Sequence, residues 1–161
     1  MFKVRDATRS DHNAVWELFE PVVRAGETYA LDRDLSREAA LAYWFAPGSC
    51  NRVAVTAEQV VGASYLRANQ QGGGAHVANA AFVTDAAWQG RGIARMLAED
   101  ALGEARRLGF KAMQFNFVVA NNARAVVLWQ AIGFEIVGRL PEAFAHPSAG
   151  PVDALVMYRK L

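Results

Sequence analysis

Apolar and polar residues alternate with two different periods along this chain, and the changes of period predict eleven elements. Strict alternation is typical of strands, whereas apolar residues that recur every three or four positions are typical of helices. The predicted order is β-α-α-β-β-β-α-β-α-β-β. The strands are predicted at 2–7, at two segments of 51–69 joined by a hairpin at 57–59, and at 76–85, 111–119, 134–140 and 152–160. The helices are predicted from Ser10 or Asp11 to about Gly26, from near Ser36 to Pro47, from the Gly90 region to Gly109, and from near Asn122 to Gly133.

The segment 76–119 determines the predicted fold class. Its first strand is apolar on both faces and is followed by a helix and a second strand, which predicts a parallel β-α-β unit. The other strands follow one another closely enough to pair as antiparallel neighbours, and the segment 141–150 is predicted as a loop. The sequence therefore predicts an α/β (α+β) fold in a single domain over 1–161, with a mixed, mostly antiparallel sheet of about seven strands, four helices and one parallel crossover.

Composition narrows the possible partners. Lys and Arg number 17 against 16 Asp and Glu, with no basic stripe, so nucleic acid is not an expected partner. No apolar run approaches the length of a membrane helix, so no membrane contact is expected. The one cysteine, Cys50, has no metal-ligand or disulfide partner at a familiar spacing. We therefore expect a cytoplasmic protein without a metal site.

Gly90 and Gly92 precede the third helix, in the place where phosphate-binding loops occur. A dinucleotide fingerprint needs a third glycine where Arg95 stands, and no Gly-Lys-Ser or Gly-Lys-Thr sequence is present. Two interpretations remain: a simple strand-to-helix turn, or an anion site made by free N–H groups at a positive helix end. Arg91 and Arg95, spaced i and i+4, would repel each other there without an anion, which favours the second interpretation.

The same residues resemble a motif of the GNAT superfamily of acyl-CoA-dependent N-acyltransferases, [QR]-x-x-G-x-[GA], which Gln89 to Ala94 spell in full. The segment "NARAVVLWQAIGF", 122–134, is similar to the family's N-x-x-A-x-x-L-Y-x-x-x-G-F helix and strand. With the order of elements, the resemblance covers nearly the whole chain.

The resemblance implies acetyl-CoA as co-substrate. The loop amides would bind the pyrophosphate, the strand end at 82–84 would pair with the pantetheine arm, and Asn122 would lie beside that arm or only cap the following helix. The implied cofactor-binding residues are Phe82, Val83, Thr84, Gln89, Gly90, Arg91, Gly92, Ile93, Ala94, Arg95, Asn122 and Trp129.

Two departures from the family pattern affect the chemistry. Trp129 stands where many members carry a tyrosine that protonates the leaving thiolate, and an indole N–H is not a useful acid. Phe117 occupies a position where some members place a glutamate base. Because a thiol with a pKa of about 8.5 leaves without much help, we interpret Trp129 as packing against the pantetheine end or the acyl group.

The remaining catalytic candidates are Glu27, Asn79 and Asn116. Glu27 lies in a loop that lines the acceptor pocket in this superfamily, although it could equally be a solvated carboxylate. Asn79 and Asn116 lie in apolar strands and could orient a substrate or a water, or be satisfied core amides. Glu27 and Tyr29 are the expected substrate-binding residues.

The predicted function is direct transfer of an acetyl group from acetyl-CoA to a primary amine of a small, amino-acid-like molecule. Two alternatives stay open: a protein N-terminal or lysine acetyltransferase, and a non-catalytic acyl-CoA-binding or regulatory domain, which Trp129 and Phe117 motivate. A homodimer through an edge strand or the first helices is also possible.

Overall fold

The structure, a computed structural model, describes residues 1–161 as seven strands and four helices in the predicted order. The strands are β1 (Lys3–Asp6), β2 (Cys50–Val55), β3 (Val60–Ala68), β4 (Val77–Thr84), β5 (Ala112–Val119), β6 (Glu135–His146) and β7 (Gly150–Lys160). The helices are α1 (His12–Ala25), α2 (Arg37–Trp44), α3 (Ile93–Arg107) and α4 (Ala123–Ala131). None of these helices is both long enough and apolar enough to cross a membrane.

All seven strands form one sheet, in the order β1-β2-β3-β4-β5-β7-β6. Every neighbouring pair is antiparallel except β4 and β5, which are parallel and joined through α3. The predicted fold class is therefore confirmed, including the single parallel crossover.

The two faces of the sheet carry separate cores. On β2, Val53 and Val55 pack with buried residues of α1 and α2, whereas Ala54 between them packs with Ile93 and Leu97 of α3. This alternation follows from the strand period of two, which sends successive side chains to opposite faces. Helices α1 and α2 thus cover one face and α3 covers the other.

The prediction of a loop at 141–150 is wrong, because β6 continues to His146 and pairs with β7 up to Gly150. A bulge between Leu140 and Phe144 interrupts the pairing, and Glu142 adopts a left-handed backbone with φ 50°. The Asp153 carboxylate accepts the Glu142 N–H at 2.9 Å, which holds the bulge in place. A proline and two extra residues inside the strand hide the alternation from which a strand is predicted.

The feature that positions the site is a gap between β4 and β5. The two strands pair only at Val77 with Ala112 and at Ala78 with Met113. Beyond that point β5 carries a bulge between Phe115 and Val118 in its pairing with β7. A bulge bends its strand, so β5 diverges from β4 and the sheet opens at its centre.

Candidate active site

A cavity of about 740 Å³ occupies the gap between β4 and β5. Its lining comes from the loop after α1, from β3, β4 and β5, from the start of α3 and from α4. A site of this kind, built where a sheet opens, can hold an extended ligand with different groups at its two ends.

The backbone of β4 presents unpaired groups to this cavity. In a strand, alternate residues turn their N–H and C=O toward opposite edges. Val77 O and Asp85 N bond to the β3 side, at Asn69 N and Val61 O, while His76 O bonds to the β5 side at Lys111 N. The backbone N–H and C=O groups of odd-numbered β4 residues therefore point toward β3, and those of even-numbered residues point toward β5.

Because β5 no longer pairs with β4 beyond Ala78, the even-numbered residues Ala80, Phe82 and Thr84 turn their N–H and C=O groups into the cavity. The Phe82 carbonyl accepts a hydrogen bond from the Tyr29 hydroxyl at 2.5 Å, which confirms the direction of this edge. The remaining groups form an open strand edge, the kind of surface to which an extended chain adds as a new strand.

One end of the cavity is the N-terminus of α3. Gly90 and Gly92 have φ of 76° and 80°, a backbone region that glycine enters without strain, and a Cβ on either would meet no atom within 4 Å. The first intrahelical bond runs from Met96 N to Gly92 O, so the N–H groups of 93–95 have no intrahelical acceptor. This open, positively polarised helix end suits an anion.

The two arginines of this loop do not interact as the sequence predicted. Arg91 precedes α3, and its guanidinium lies over the Trp88 ring at 4.7 Å. Arg95 is in the helix, and its Nε donates to Glu99 Oε1 at 2.8 Å. The inference of i,i+4 repulsion is therefore wrong, since one arginine is outside the helix and the other is paired. Arg95 lines the cavity, whereas Arg91 does not.

Most of the expected cofactor-binding residues line the cavity together. They are Phe82, Val83, Thr84, Gln89, Gly90, Gly92, Ile93, Ala94, Arg95, Asn122 and Trp129. Asn122 is also the N-cap of α4, with its Oδ1 accepting the Ala125 N–H, so both roles foreseen for it are compatible. The Trp129 ring packs 5.2 Å from that of Phe82 and 5.0 Å from that of Phe115, as a wall of the gap.

The other end of the cavity is lined by tyrosines. Tyr29 reaches in from the loop after α1, and burial raises the pKa of its phenol above the ordinary value. The hydroxyls of Tyr43 and Tyr65 lie 2.9 Å apart, and the Arg67 guanidinium stacks 3.6 Å from the centre of the Tyr65 ring. Burial raises the pKa of Tyr65 too. Sequence reasoning missed Tyr43 and Tyr65, because the pairing of α2 with β3 is set by tertiary packing alone.

The three catalytic candidates occupy different places. Asn79 lies in the cavity and donates from Nδ2 to Gln114 O at 3.0 Å. Asn116 also lines the cavity but is exposed, so the expectation of a buried amide is wrong: it lies at the β5 bulge and bonds to Asn69 Oδ1 at 2.6 Å. Glu27 is exposed and lies outside the lining, although its neighbours Thr28 and Tyr29 belong to it.

Phe117 lines the cavity as an apolar wall, 6.0 Å from the Phe144 ring. No three histidine, cysteine or acidic side chains meet anywhere in the structure in a way that could hold a metal ion.

A central sheet opened between two parallel strands, with a helix N-terminus at the opening, defines the acyl-CoA N-acyltransferase fold. The family model described as "Acetyltransferase (GNAT) family" matches residues 12–134, about three quarters of the chain. The chain belongs to this family, and its domain is a GNAT acetyltransferase domain.

Two solved structures are similar to this one along nearly the whole chain. A GCN5-related N-acetyltransferase from Kribbella flavida is 46% identical, with a TM-score of 0.95 and coverage of 99% of this chain and 98% of that one. The structure of yncA, a putative acetyltransferase from Salmonella typhimurium with its cofactor acetyl-CoA, is 22% identical, with a TM-score of 0.89 and coverage of 100% and 94%. At that identity, the second likeness concerns the fold.

Among curated proteins, the N-acetyltransferase aca1 of Schizosaccharomyces pombe is 28% identical over 139 residues, which are 75% of this chain and 66% of that protein. The chain thus spans slightly less than two thirds of this relative's length.

Proposed function

We propose that this domain is a cytoplasmic enzyme that transfers the acetyl group of acetyl-CoA directly to a primary amine of a small, amino-acid-like molecule. The observation that carries the proposal is one continuous cavity that joins the α3 N-terminus, the open β4 edge and the tyrosine-lined end. Membership of the acetyltransferase family supports the choice of acetyl-CoA as donor.

The donor is proposed to lie along the cavity in three parts. Its pyrophosphate would bind the N–H groups of 90–95, where Arg95 adds positive charge. Its pantetheine arm would add to the β4 edge as an extra strand, with Trp129 and Phe82 packing against it. The thioester carbonyl would then reach the open N–H groups of that edge, which polarise it as charge develops on oxygen.

In the proposed transfer, the lone pair of the neutral amine attacks the thioester carbon. A C–N bond forms, the C–S bond breaks, the thiolate departs with its electron pair, and the nitrogen releases one proton. The thiolate takes a proton from water or from the amine, so the products are an amide and coenzyme A. The rate is proposed to come from positioning and from polarisation of the carbonyl, since Trp129 cannot act as an acid.

Within this scheme, Asn79 and Asn116 are proposed to orient the acceptor or a water, and Tyr29 to form the wall that fixes the β4 edge. Glu27 is proposed to act only at the entrance, because it adjoins Thr28 and Tyr29 but lies outside the lining.

A second candidate function is a domain that binds acyl-CoA without turnover. The apolar side chains of Phe117 and Trp129, where proton-transfer groups would be expected, favour it. Thiol release from acetyl-CoA, followed with a chromogenic disulfide across a panel of amines, separates the two. We expect release that depends on an amine; binding of acetyl-CoA in calorimetry without any release would support the second function.

We also propose a homodimer over an exposed apolar patch on β6, formed by Ile136, Val137 and Leu140. These side chains are 39%, 59% and 41% exposed, and β6 is an edge strand. Apolar side chains clustered on an exposed edge are a common feature of subunit contacts.

A further inference from the structure

The tyrosine-lined end of the cavity, where the proposed function places the amine and which is called the acceptor end below, contains no charged residue of the lining. The charged residues of the lining are Arg95 and Arg124, and both belong to the first turns of helices at the anion-binding end. The tyrosine-lined end offers hydroxyls, amides and apolar walls. An incoming ammonium therefore meets no carboxylate in the lining that would compensate for the water it loses.

The aromatic rings at this end do not supply that compensation either. The guanidinium of Arg67 lies over the Tyr65 ring at 3.6 Å and 5.4 Å from the Tyr43 ring, so a cation already occupies these π systems. The rings of Tyr43 and Trp44 also pack against the Tyr65 ring in T-shaped contacts, and Tyr65 is only 4% exposed. A second cation would meet repulsion from Arg67 instead of cation–π attraction.

The polar groups that remain suit a neutral amine next to a carbonyl. In the Tyr43 and Tyr65 pair one hydroxyl donates to the other, which leaves one O–H free as a donor and lone pairs as acceptors. Asn79 donates through Nδ2 to Gln114 O, which leaves its Oδ1 available to accept an N–H. The amine can thus donate while an adjacent carbonyl accepts.

From this arrangement we infer that the acceptor is a weakly basic amine, of the α-amino amide type found in amino-acid amides and at peptide N-termini, and that it binds as the neutral base. This inference rests on the proposed function. At pH 7 an α-amino group with a pKa of 7.7–8.0 is neutral in roughly one molecule in ten, whereas an alkylamine with a pKa of about 10.4 is neutral in about one in 2,500. A cavity that admits only the neutral amine therefore favours the α-amino amide over the alkylamine.

The test compares alaninamide with 2-aminobutane, which has similar size, in the thiol-release assay from pH 7 to 10. We expect alaninamide to show a kcat/KM at least about tenfold higher at pH 7, after allowing for the lower intrinsic nucleophilicity of the weaker base. The difference should close as pH rises, with each acceptor's profile following its own pKa. A kcat/KM for 2-aminobutane at pH 7 that equals or exceeds that for alaninamide would overturn the inference and leave the proposed function intact. Release with no amine at all would overturn both.

A tripeptide with N-terminal alanine and Nα-acetyl-lysine amide extend the comparison to peptides. Turnover of alaninamide and the tripeptide alike identifies the α-amino amide group as sufficient, and turnover of alaninamide alone indicates a small-molecule acceptor. Preference for the lysine derivative at pH 7 contradicts the inference.

Two variants test the residues themselves. Asn79→Asp places a carboxylate in the acceptor end and should lower the KM for 2-aminobutane relative to that for alaninamide by about tenfold at pH 7, because an opposite charge stabilises the bound ammonium and the carboxylate can take its proton before attack. Tyr65→Phe removes one hydroxyl of the pair and should raise KM for the acceptor several-fold, with KM for acetyl-CoA unchanged. Tyr158→Phe, outside the lining, is the matched control. An unaltered acceptor preference in Asn79→Asp, with the KM for acetyl-CoA retained, would count against the assignment.

Discussion

At the scale of single residues, Gly92 bears most directly on donor binding. It precedes α3 with a left-handed backbone, and the space beside its Cα is open. We predict that Gly92→Glu weakens acetyl-CoA binding by at least about tenfold, because the carboxylate would occupy the anion position and repel the pyrophosphate. Calorimetry measures the affinity, and circular dichroism checks the fold.

Gly103→Glu is the control for that change. Gly103 is an exposed residue in the same helix, well away from its N-terminus, so the same charge is added without entering the cavity. Equal loss of affinity in both variants would show a general charge effect and would refute the assignment of the loop.

Asp11 is a carboxylate whose ionisation contributes to the stability of the fold. Its carboxylate is 7% exposed and accepts hydrogen bonds from the Arg5 guanidinium at 2.8 and 2.9 Å and from Thr8 N at 2.7 Å. Hydrogen bonding to Arg5, against the opposing effect of burial, lowers the pKa of Asp11 to about 2. Because the folded pKa lies below the unfolded value of about 3.9, Asp11 stabilises the fold above that value and loses this effect as pH falls toward 2.

We therefore predict that Asp11→Asn lowers the free energy of unfolding by about 2 kcal/mol at pH 7. The difference from the parent protein should shrink below about pH 4 and be lost as pH falls below about 2. Urea unfolding at several pH values measures it, with the exposed Asp34→Asn as control. If the stability difference between Asp11→Asn and the parent protein stayed constant down to pH 2, an ionic role for Asp11 would be contradicted.

At the scale of elements, the packing of α3 on β3 depends on Gly62. A Cβ there would lie 2.9 Å from both Ile93 Cγ2 and Leu97 Cδ1. We predict that Gly62→Ala costs about 1–3 kcal/mol of stability, since α3 must move outward to make room. It should also weaken acetyl-CoA binding, because Ile93 begins the helix whose N-terminus is proposed to bind the pyrophosphate. Gly103→Ala, in an open helical position, should instead stabilise by about 0.5–1 kcal/mol. Thermal unfolding and calorimetry measure both effects.

The elements also show how far the sequence could predict the structure. The donor end was predictable because its residues are contiguous, so two glycines and one helix start define it locally. The acceptor end was predictable only in part: Tyr29, Asn79 and Asn116 were expected there and line the cavity, whereas Tyr43 of α2 and Tyr65 of β3 are brought together only in the folded chain. The length of β6 was missed for a third reason, because the bulge at 141–143 breaks the alternation of the strand. The predicted repulsion between Arg91 and Arg95 was wrong, because α3 begins between these two residues.

At the scale of the whole molecule, the β6 apolar patch bears on assembly. If the patch is covered by a second copy, Val137→Lys should shift the protein toward monomer, because a buried charge without a partner destabilises the contact. Light scattering over a range of concentrations measures the shift. Lys160→Glu, on the neighbouring strand and outside the patch, is a control. A parent protein that is monomeric at every concentration would refute the dimer.

The open edge of β4 has a further consequence for how this protein can diverge. Peptide groups are the same for every side chain except that of proline, so other substitutions at Ala80, Phe82 or Thr84 should leave the proposed hydrogen bonds to the donor intact. Tyr43 and Tyr65 at the far end lie on separate segments, and their hydroxyls bond to each other and not to the β4 edge, so either side chain can be replaced without removing a hydrogen bond from that backbone. Proteins that evolve from this fold can therefore change their acceptor while they continue to bind the same donor.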